Sequence, residues 1–171
     1  MGKAQVAGQI LIYILAIVIF GLTLLYGYKA VKYFTEKSEE ISFLQLEHDI
    51  QAEIEKVKGD TMGTIKRKVL TIPGNYDHVC FVKSYPSFPP SIDTLDLNYN
   101  LIESHINNGA EDKNMFLAPP GDVSFFVGDK TNKQGIALSG TKDVDCIDIV
   151  GSKIELKLES MGNHVKISRW G

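Results

Sequence analysis

An uninterrupted apolar segment near the N-terminus is the strongest constraint on this chain. No charged side chain occurs between Val6 and Tyr28, and Gln9 is the only strongly polar residue among these 23 positions. As an α-helix, such a segment rises about 35 Å, which exceeds the hydrocarbon thickness of about 30 Å of a bilayer. A helix that packs on a soluble core has one polar face, and this segment has none. We therefore predict that it enters a membrane.

The helix is predicted to continue well beyond the apolar segment. Residues 29–58 contain neither Pro nor Gly and are rich in Glu, Lys, Gln, Leu and Ile, which favour helix. Gly59 is the first helix-terminating residue, so the predicted helix covers residues 5–58, about 80 Å. Its second half is amphipathic, and Ile41 and Leu44 are expected to widen its apolar stripe. The stripe itself, which we expect to pack on a folded domain, consists of Phe43, Leu46, Ile50, Ile54 and Val57.

The rest of the chain, residues 66–171, has the pattern of a β-rich domain. Short apolar or alternating runs, separated by Pro, Gly and Asn, predict strands at 69–72, 79–82, 115–117, 123–127 and 144–150, and a short helix within 95–106. The clearest hairpin closes the chain, where alternating residues 154–158 and 165–168 flank a turn at 161–163. Trp170 is expected to contact the core. The predicted fold class is α+β: a long N-terminal helix, apolar in its first half and amphipathic in its second, packed on a small antiparallel β domain.

Cys80 and Cys146 are the only cysteines, and both lie in strand-like surroundings. In a small exported domain, two such residues predict a disulfide, whereas in a reducing compartment they would be buried thiols. A zinc site that adds His78 and His164 is an alternative, although structural zinc sites usually use Cys-x₂₋₄-Cys pairs.

No pattern of catalytic residues is present. The four histidines form no His-Glu-x-x-His motif, and the chain lacks a Gly-x-Ser-x-Gly element and a phosphate-binding Gly loop. Asp143, Asp145 and Asp148 would suit Ca²⁺, but a charged strand edge that resists sheet extension explains them with fewer assumptions. The net charge of −3 gives no basic footprint for nucleic acid. We therefore predict a non-enzymatic protein with no cofactor, no metal and no nucleic-acid partner.

Small and aromatic residues distinguish the C-terminal part of the apolar segment. Gly21 and Gly27 permit close approach of another helix in lipid, although such residues are also ordinary in membrane helices. Tyr26, Tyr28 and Tyr33 lie where an interfacial aromatic belt is expected, and in an assembly they would stack between subunits.

The order of the N-terminal features resembles that of type IV pilin-like proteins, especially the archaeal ones. In that family a short leader is cut after a small residue preceded by Lys or Arg, and Lys3-Ala4 matches this pattern. The resemblance implies a leader of residues 1–4, Gln5 as the mature N-terminus, and processing by a prepilin-type peptidase and export machinery. The family often carries Glu at the fifth mature position, where its charge meets a neighbour's terminal amine. Here that position is Gln9, which can accept a hydrogen bond but brings no charge.

The resemblance also implies a function. The precursor would be inserted in the membrane, and the apolar helices, residues 5–28, would then bundle into the core of an extracellular cell-surface filament. Copies of the chain are then its partners, and the residues expected at their contacts are Gln9, Gly21, Tyr26 and Gly27. The first alternative is a single-pass, membrane-anchored, extracytoplasmic binding module that does not polymerise. The second alternative is a membrane-tethered, metal-dependent enzyme.

Two sequence signals conflict on the side of the membrane that holds the β domain. Only Lys3 and the terminal amine are basic on one flank of the apolar segment, whereas the other flank carries Lys29, Lys32 and Lys37, which favours a cytoplasmic domain. The leader resemblance and the two cysteines favour the outside. We adopt the extracytoplasmic placement.

Overall fold

The chain consists of one long helix followed by a domain of two β-sheets. The computed structural model describes residues 3–89, 100–109, 112–119, 121–129 and 135–171, and for residues 3–10 and Glu36 it describes the backbone alone. Helix α1 covers Lys3–Lys58, so it ends at the predicted residue. The chain divides into two units, Met1–Ile41 and Ser42–Gly171, and the C-terminal part of α1 belongs to the second. The predicted α+β fold class is confirmed.

The end of α1 has a tightened last turn. The amide of Gly59 still donates to the carbonyl of Glu55 at 3.1 Å, and the amide of Asp60 donates to the nearer carbonyl of Val57, also at 3.1 Å. Lys56 and Lys58 lie in this turn, where the negative end of the helix dipole favours cations.

Eight strands lie within the described residues and form two sheets of four. The first sheet has the order β1-β7-β8-β5 and the second the order β4-β3-β2-β6. A short helix, α2, covers Asn100–Asn107 and so ends one residue beyond the region 95–106 predicted to hold one; residues 95–99 lie outside the described part of the chain. The strands are β1 (Ile65–Thr71), β2 (His78–Val82), β3 (Met115–Ala118), β4 (Val123–Phe125), β5 (Ile136–Leu138), β6 (Val144–Asp148), β7 (Lys153–Ser160) and β8 (Val165–Arg169).

The pairing is antiparallel except at one edge of the first sheet. Strands β7 and β8 form the hairpin predicted at the C-terminus, with Leu158 opposite Ile167. Strand β5, which the sequence analysis missed, pairs in parallel with β8, with Ile136 opposite Val165. The domain is thus antiparallel except at this three-residue edge strand.

The main core lies where the two sheets and the C-terminal part of α1 meet. Alternate residues of the second sheet, such as Val79 and Leu117, belong to this core. Their neighbours in sequence, such as Phe116, belong to a smaller cluster on the opposite face, which Ile102 and Ile106 of α2 cover. Both faces of the second sheet are therefore buried, which explains why β2 and β3 read as continuous apolar runs.

Two expectations about apolar residues are wrong. Ile41 and Leu44 do not widen the buried stripe, because their side chains are 61% and 59% exposed. At 100° per residue, Leu44 lies about 200° around the helix from Leu46, on the solvent side. Trp170 lies beyond the end of β8 and is 36% exposed, with the guanidinium of Arg67 5.8 Å from its ring centroid. It is a surface residue and not a core contact.

Candidate functional site

The candidate site is the apolar segment of α1. Its large apolar side chains from Leu11 to Leu25 are between 47% and 71% exposed. Its most hydrophobic window has a mean hydropathy of 2.2, and none of that window is buried inside the described protein. Contiguous apolar surface of this extent is unfavourable in water. The helix is long and apolar enough to cross a bilayer, and it needs lipid or other protein chains to cover it.

The predicted assembly residues lie on this exposed surface. Beyond the adjacent residues and the helix's own backbone, no atom lies within 4 Å of the position where a Cβ of Gly21 or Gly27 would stand, so both leave open space beside the helix. Tyr26 is 67% exposed. These positions are accessible to another helix or to lipid, and their contacts in an assembly stay a prediction.

The predicted processing residues lie at the start of α1. Lys3, Ala4 and Gln5 have helical backbone, as does Gln9, and their side chains lie outside the described part of the chain. Cleavage after Ala4 and a contact of Gln9 with a neighbouring amine therefore stay predictions.

The apolar stripe of the second half of α1 is buried in the main core. Ile50 and Val57 are completely inaccessible, and Leu46 and Ile54 are 4% and 3% exposed. Phe43 is partly buried at the edge of the core, where its ring meets that of Tyr76 edge to face at 6.2 Å. The C-terminal part of α1 is thus an integral part of the β domain.

Polar contacts flank this stripe on both sides. The Gln51 side chain pairs with the backbone of Gly128: its Nε2 donates to the carbonyl at 2.5 Å, and its Oε1 accepts from the amide at 3.0 Å. On the other side, Lys68 Nζ of β1 donates to Glu53 Oε1 at 3.0 Å. This hydrogen bond lowers the pKa of Glu53 below its usual value, against the opposing effect of partial burial. The sequence analysis identified neither contact, since both join residues far apart in the chain.

A fully buried asparagine joins the segments that follow β2 and β4. Asn114 Nδ2 donates to Ser84 Oγ at 2.7 Å and to the Val127 carbonyl at 2.8 Å, and its Oδ1 accepts from the Val127 amide at 2.7 Å. Ser84 Oγ accepts in turn from the Ile136 amide at 2.9 Å, which holds β5 against this network. The Asn114 Nδ2 and Oδ1 atoms and the Ser84 Oγ atom each have a hydrogen-bond partner inside the protein, which favours one arrangement of the two sheets.

The predicted disulfide between Cys80 and Cys146 is confirmed. The two residues lie directly opposite each other on β2 and β6, with their Cα atoms 3.9 Å apart. The bond therefore fastens β6, the edge strand of the second sheet, to its neighbour. Because the two sulfurs are bonded to each other, neither is available as a thiolate ligand. The zinc site considered from the sequence therefore lacks two of its four ligands.

The three aspartates near Cys146 lie at this charged sheet edge. Each has a basic neighbour: Asp148 is 3.3 Å from Arg169, Asp145 is 3.2 Å from Lys142, and Asp143 is 3.8 Å from Lys83. Over the described ranges, no three His, Cys, Asp or Glu side chains come together in a way that could hold a metal ion.

Comparison with known proteins adds no family to these observations. No protein-family model matches the chain, and no curated protein or solved structure is significantly similar to it. We therefore base the functional proposal on the apolar helix and on the disulfide-bonded β domain.

Proposed function

We propose that this chain is a structural, pilin-like subunit that self-assembles through the apolar part of α1 into a cell-surface filament. The observation that carries the proposal is the exposure of every large apolar side chain described from Leu11 to Leu25, on all sides of the helix. A simple anchor needs only lipid around it. A helix that is apolar all round also suits a bundle in which neighbouring helices surround it and replace the lipid.

The second half of α1 supports a proposal in which the apolar part of the helix makes the assembly contacts and the β domain does not. The buried stripe of this second half makes the C-terminal part of α1 an integral part of the folded β domain. Contacts between different surface patches of identical subunits form open helical arrays unless their rotation closes a ring. Lateral packing of such helices through unlike faces would therefore build a filament.

The Cys80–Cys146 disulfide supports an extracytoplasmic β domain, because disulfides persist in oxidising compartments. In this proposal, a membrane-inserted precursor loses residues 1–4 and leaves the membrane for the extracellular filament. The prepilin-type peptidase and export machinery remain expectations that come from the resemblance of Lys3-Ala4 to a leader cleavage site.

Gln9 favours the alternative function, a membrane-anchored binding module that does not polymerise. A neutral amide at this position gives a weaker contact with a terminal amine than a carboxylate would, because charge-assisted hydrogen bonds are about twice as strong as neutral ones. The single-pass anchor needs no such contact.

Mass spectrometry of the native protein and electron microscopy of the same material separate the two functions. The pilin-like function predicts a mature chain that begins at Gln5 and filaments that contain it. Retention of Met1 or Gly2, together with non-filamentous membrane material, would favour the anchored module.

A pair of variants tests the processing step directly. Ala4→Phe places a bulky residue where a small one is expected before the cleaved bond, so it should block leader removal and filament formation together. Ala7→Phe adds the same bulk three residues later and should still be cleaved. Filaments made of uncleaved Ala4→Phe chains would contradict the proposed order of processing and assembly.

A further inference from the structure

A shallow apolar groove runs along one face of α1 near the end of the apolar segment. It measures about 520 Å³ and is lined by Ile19, Leu22, Thr23, Tyr26, Gly27 and Ala30. Gly27 contributes to it by leaving its side of the helix open. All of these residues belong to the unit Met1–Ile41.

The same face ends in a cationic and aromatic group. Leu22, Tyr26, Lys29 and Tyr33 follow one another at spacings of four, three and four, which places them on one side of a helix. Lys29 is exposed, and Tyr26 and Tyr33 are 67% and 59% exposed. Lys29 is the basic residue on this face. The groove therefore runs from an apolar end to a positively charged end.

The length of this face matches one leaflet of a bilayer. Ile19 and Lys29 are ten residues apart, which corresponds to about 15 Å along a helix axis. Half of the hydrocarbon core of a bilayer is also about 15 Å. A phospholipid whose phosphate lies beside Lys29 would thus extend its acyl chain along the groove to the level of Ile19.

We propose that the membrane-inserted chain binds an anionic phospholipid on this face, with an acyl chain in the Ile19–Ala30 groove and the phosphate beside Lys29. Charge favours this occupant over a second copy of the helix. Two copies packed through the same face would bring their Lys29 residues together, whereas an anionic headgroup compensates them. The proposal requires membrane insertion alone and does not depend on filament formation.

The test uses the full-length chain reconstituted in phosphatidylcholine vesicles that contain either spin-labelled phosphatidylglycerol or spin-labelled phosphatidylcholine. Electron paramagnetic resonance then gives the relative association of the two lipids with the protein. We expect phosphatidylglycerol to be preferred at low salt and the preference to weaken as salt is added. A lysine near an anionic surface contributes about a fivefold preference, so Lys29→Gln should reduce the selectivity about fivefold.

Two matched controls make the result decisive. Lys153→Gln removes the same charge from β7 and should leave the lipid selectivity unchanged. Gly27→Leu fills the groove and should reduce the motionally restricted lipid, whereas Gly21→Leu places the same side chain elsewhere around the helix, outside the groove, and should not. Selectivity that survives Lys29→Gln, or equal effects of the two glycine variants, would overturn the proposal even if the chain forms filaments.

Discussion

At the scale of single residues, Gly135 is a position where the packing of the β domain allows no side chain. A Cβ at this position would lie 1.7 Å from Ser84 Oγ and 2.4 Å from Ser84 Cβ. Ser84 cannot easily move aside, because it is fully buried and hydrogen-bonded to Asn114 and Ile136. The absence of a side chain at Gly135 thus lets β5 approach the rest of the domain.

We predict that Gly135→Ala lowers the free energy of unfolding by about 3 kcal/mol, the upper part of the range for overpacked cores. Denaturant titration of the detergent-solubilised chain, followed by near-ultraviolet circular dichroism, measures the change. Gly59→Ala is the matched control, because a Cβ there would have ordinary contacts at 3.6 Å and 3.7 Å. Equal stability of the two variants would show that β5 can shift to accept a methyl group.

The ion pair between Glu53 and Lys68 gives the domain a pH-dependent contribution to stability. The hydrogen bond from Lys68 lowers the pKa of Glu53 in the folded chain, so folding favours the ionised carboxylate. This contribution to stability is complete above the ordinary carboxyl pKa. It is lost as the pH falls through the lower pKa that Glu53 has in the folded chain. We expect Glu53→Gln to cost about 0.5–1 kcal/mol at pH 7, since the pair is partly exposed, and much less at pH 3.

Thermal unfolding of the wild-type chain and Glu53→Gln at the two pH values measures this difference. Glu55→Gln, the same change two residues along on the exposed side of α1, should lower the stability less at pH 7. A Glu53→Gln cost that stays constant between pH 7 and pH 3 would show that the carboxylate charge contributes nothing.

At the scale of secondary-structure elements, the two sides of α1 within the β domain have different roles. Leu46 is 4% exposed in the main core, and Leu44 is 59% exposed, although both are leucines of the same helix. Truncating the first removes buried contacts and leaves a cavity, whereas truncating the second changes only solvated surface.

We therefore expect Leu46→Ala to lower the free energy of unfolding by about 2–5 kcal/mol and Leu44→Ala to change it by less than about 0.5 kcal/mol. Chemical denaturation in detergent gives both values under the same conditions. A comparable cost at Leu44 would show that its side chain has a partner in the folded protein, most simply a neighbouring copy of the chain.

The sequence predicted those elements whose periodicity is local. The alternation of Ile154, Leu156 and Leu158 identified the β7–β8 hairpin, and the stripe from Leu46 to Val57 identified the buried side of α1. Strand β5 was missed because it has three residues and pairs in parallel with a strand almost thirty positions later. Its place depends on the Ser84–Asn114 network, which no local pattern in the sequence indicates. The disulfide was predictable because the chain offers only one pair of cysteines.

At the scale of the whole molecule, one unit buries most of its large apolar side chains and the other exposes them. Ser42–Gly171 contains the main core, the α2 cluster and the disulfide, so it buries its own apolar residues. The large apolar side chains described in Met1–Ile41 are exposed. The energy available for insertion in lipid or for assembly therefore resides in the first unit, and the second supplies a stable, covalently fastened domain.

This division predicts that a fragment of residues 42–171 is soluble, folded and monomeric. It keeps all seventeen helical residues from Ser42 to Lys58 and thus the complete apolar stripe. The exposed large apolar residues that it retains, such as Met62 and Val150, are no more than is usual for a soluble protein. Light scattering should give the mass of one chain, and non-reducing peptide mapping should recover the Cys80–Cys146 bond.

The full-length chain, once its detergent is removed, should instead form large assemblies, because its apolar helix must be covered. Polymers of the fragment would place assembly contacts on the β domain itself, and the apolar helix would then serve chiefly to hold the precursor in the membrane.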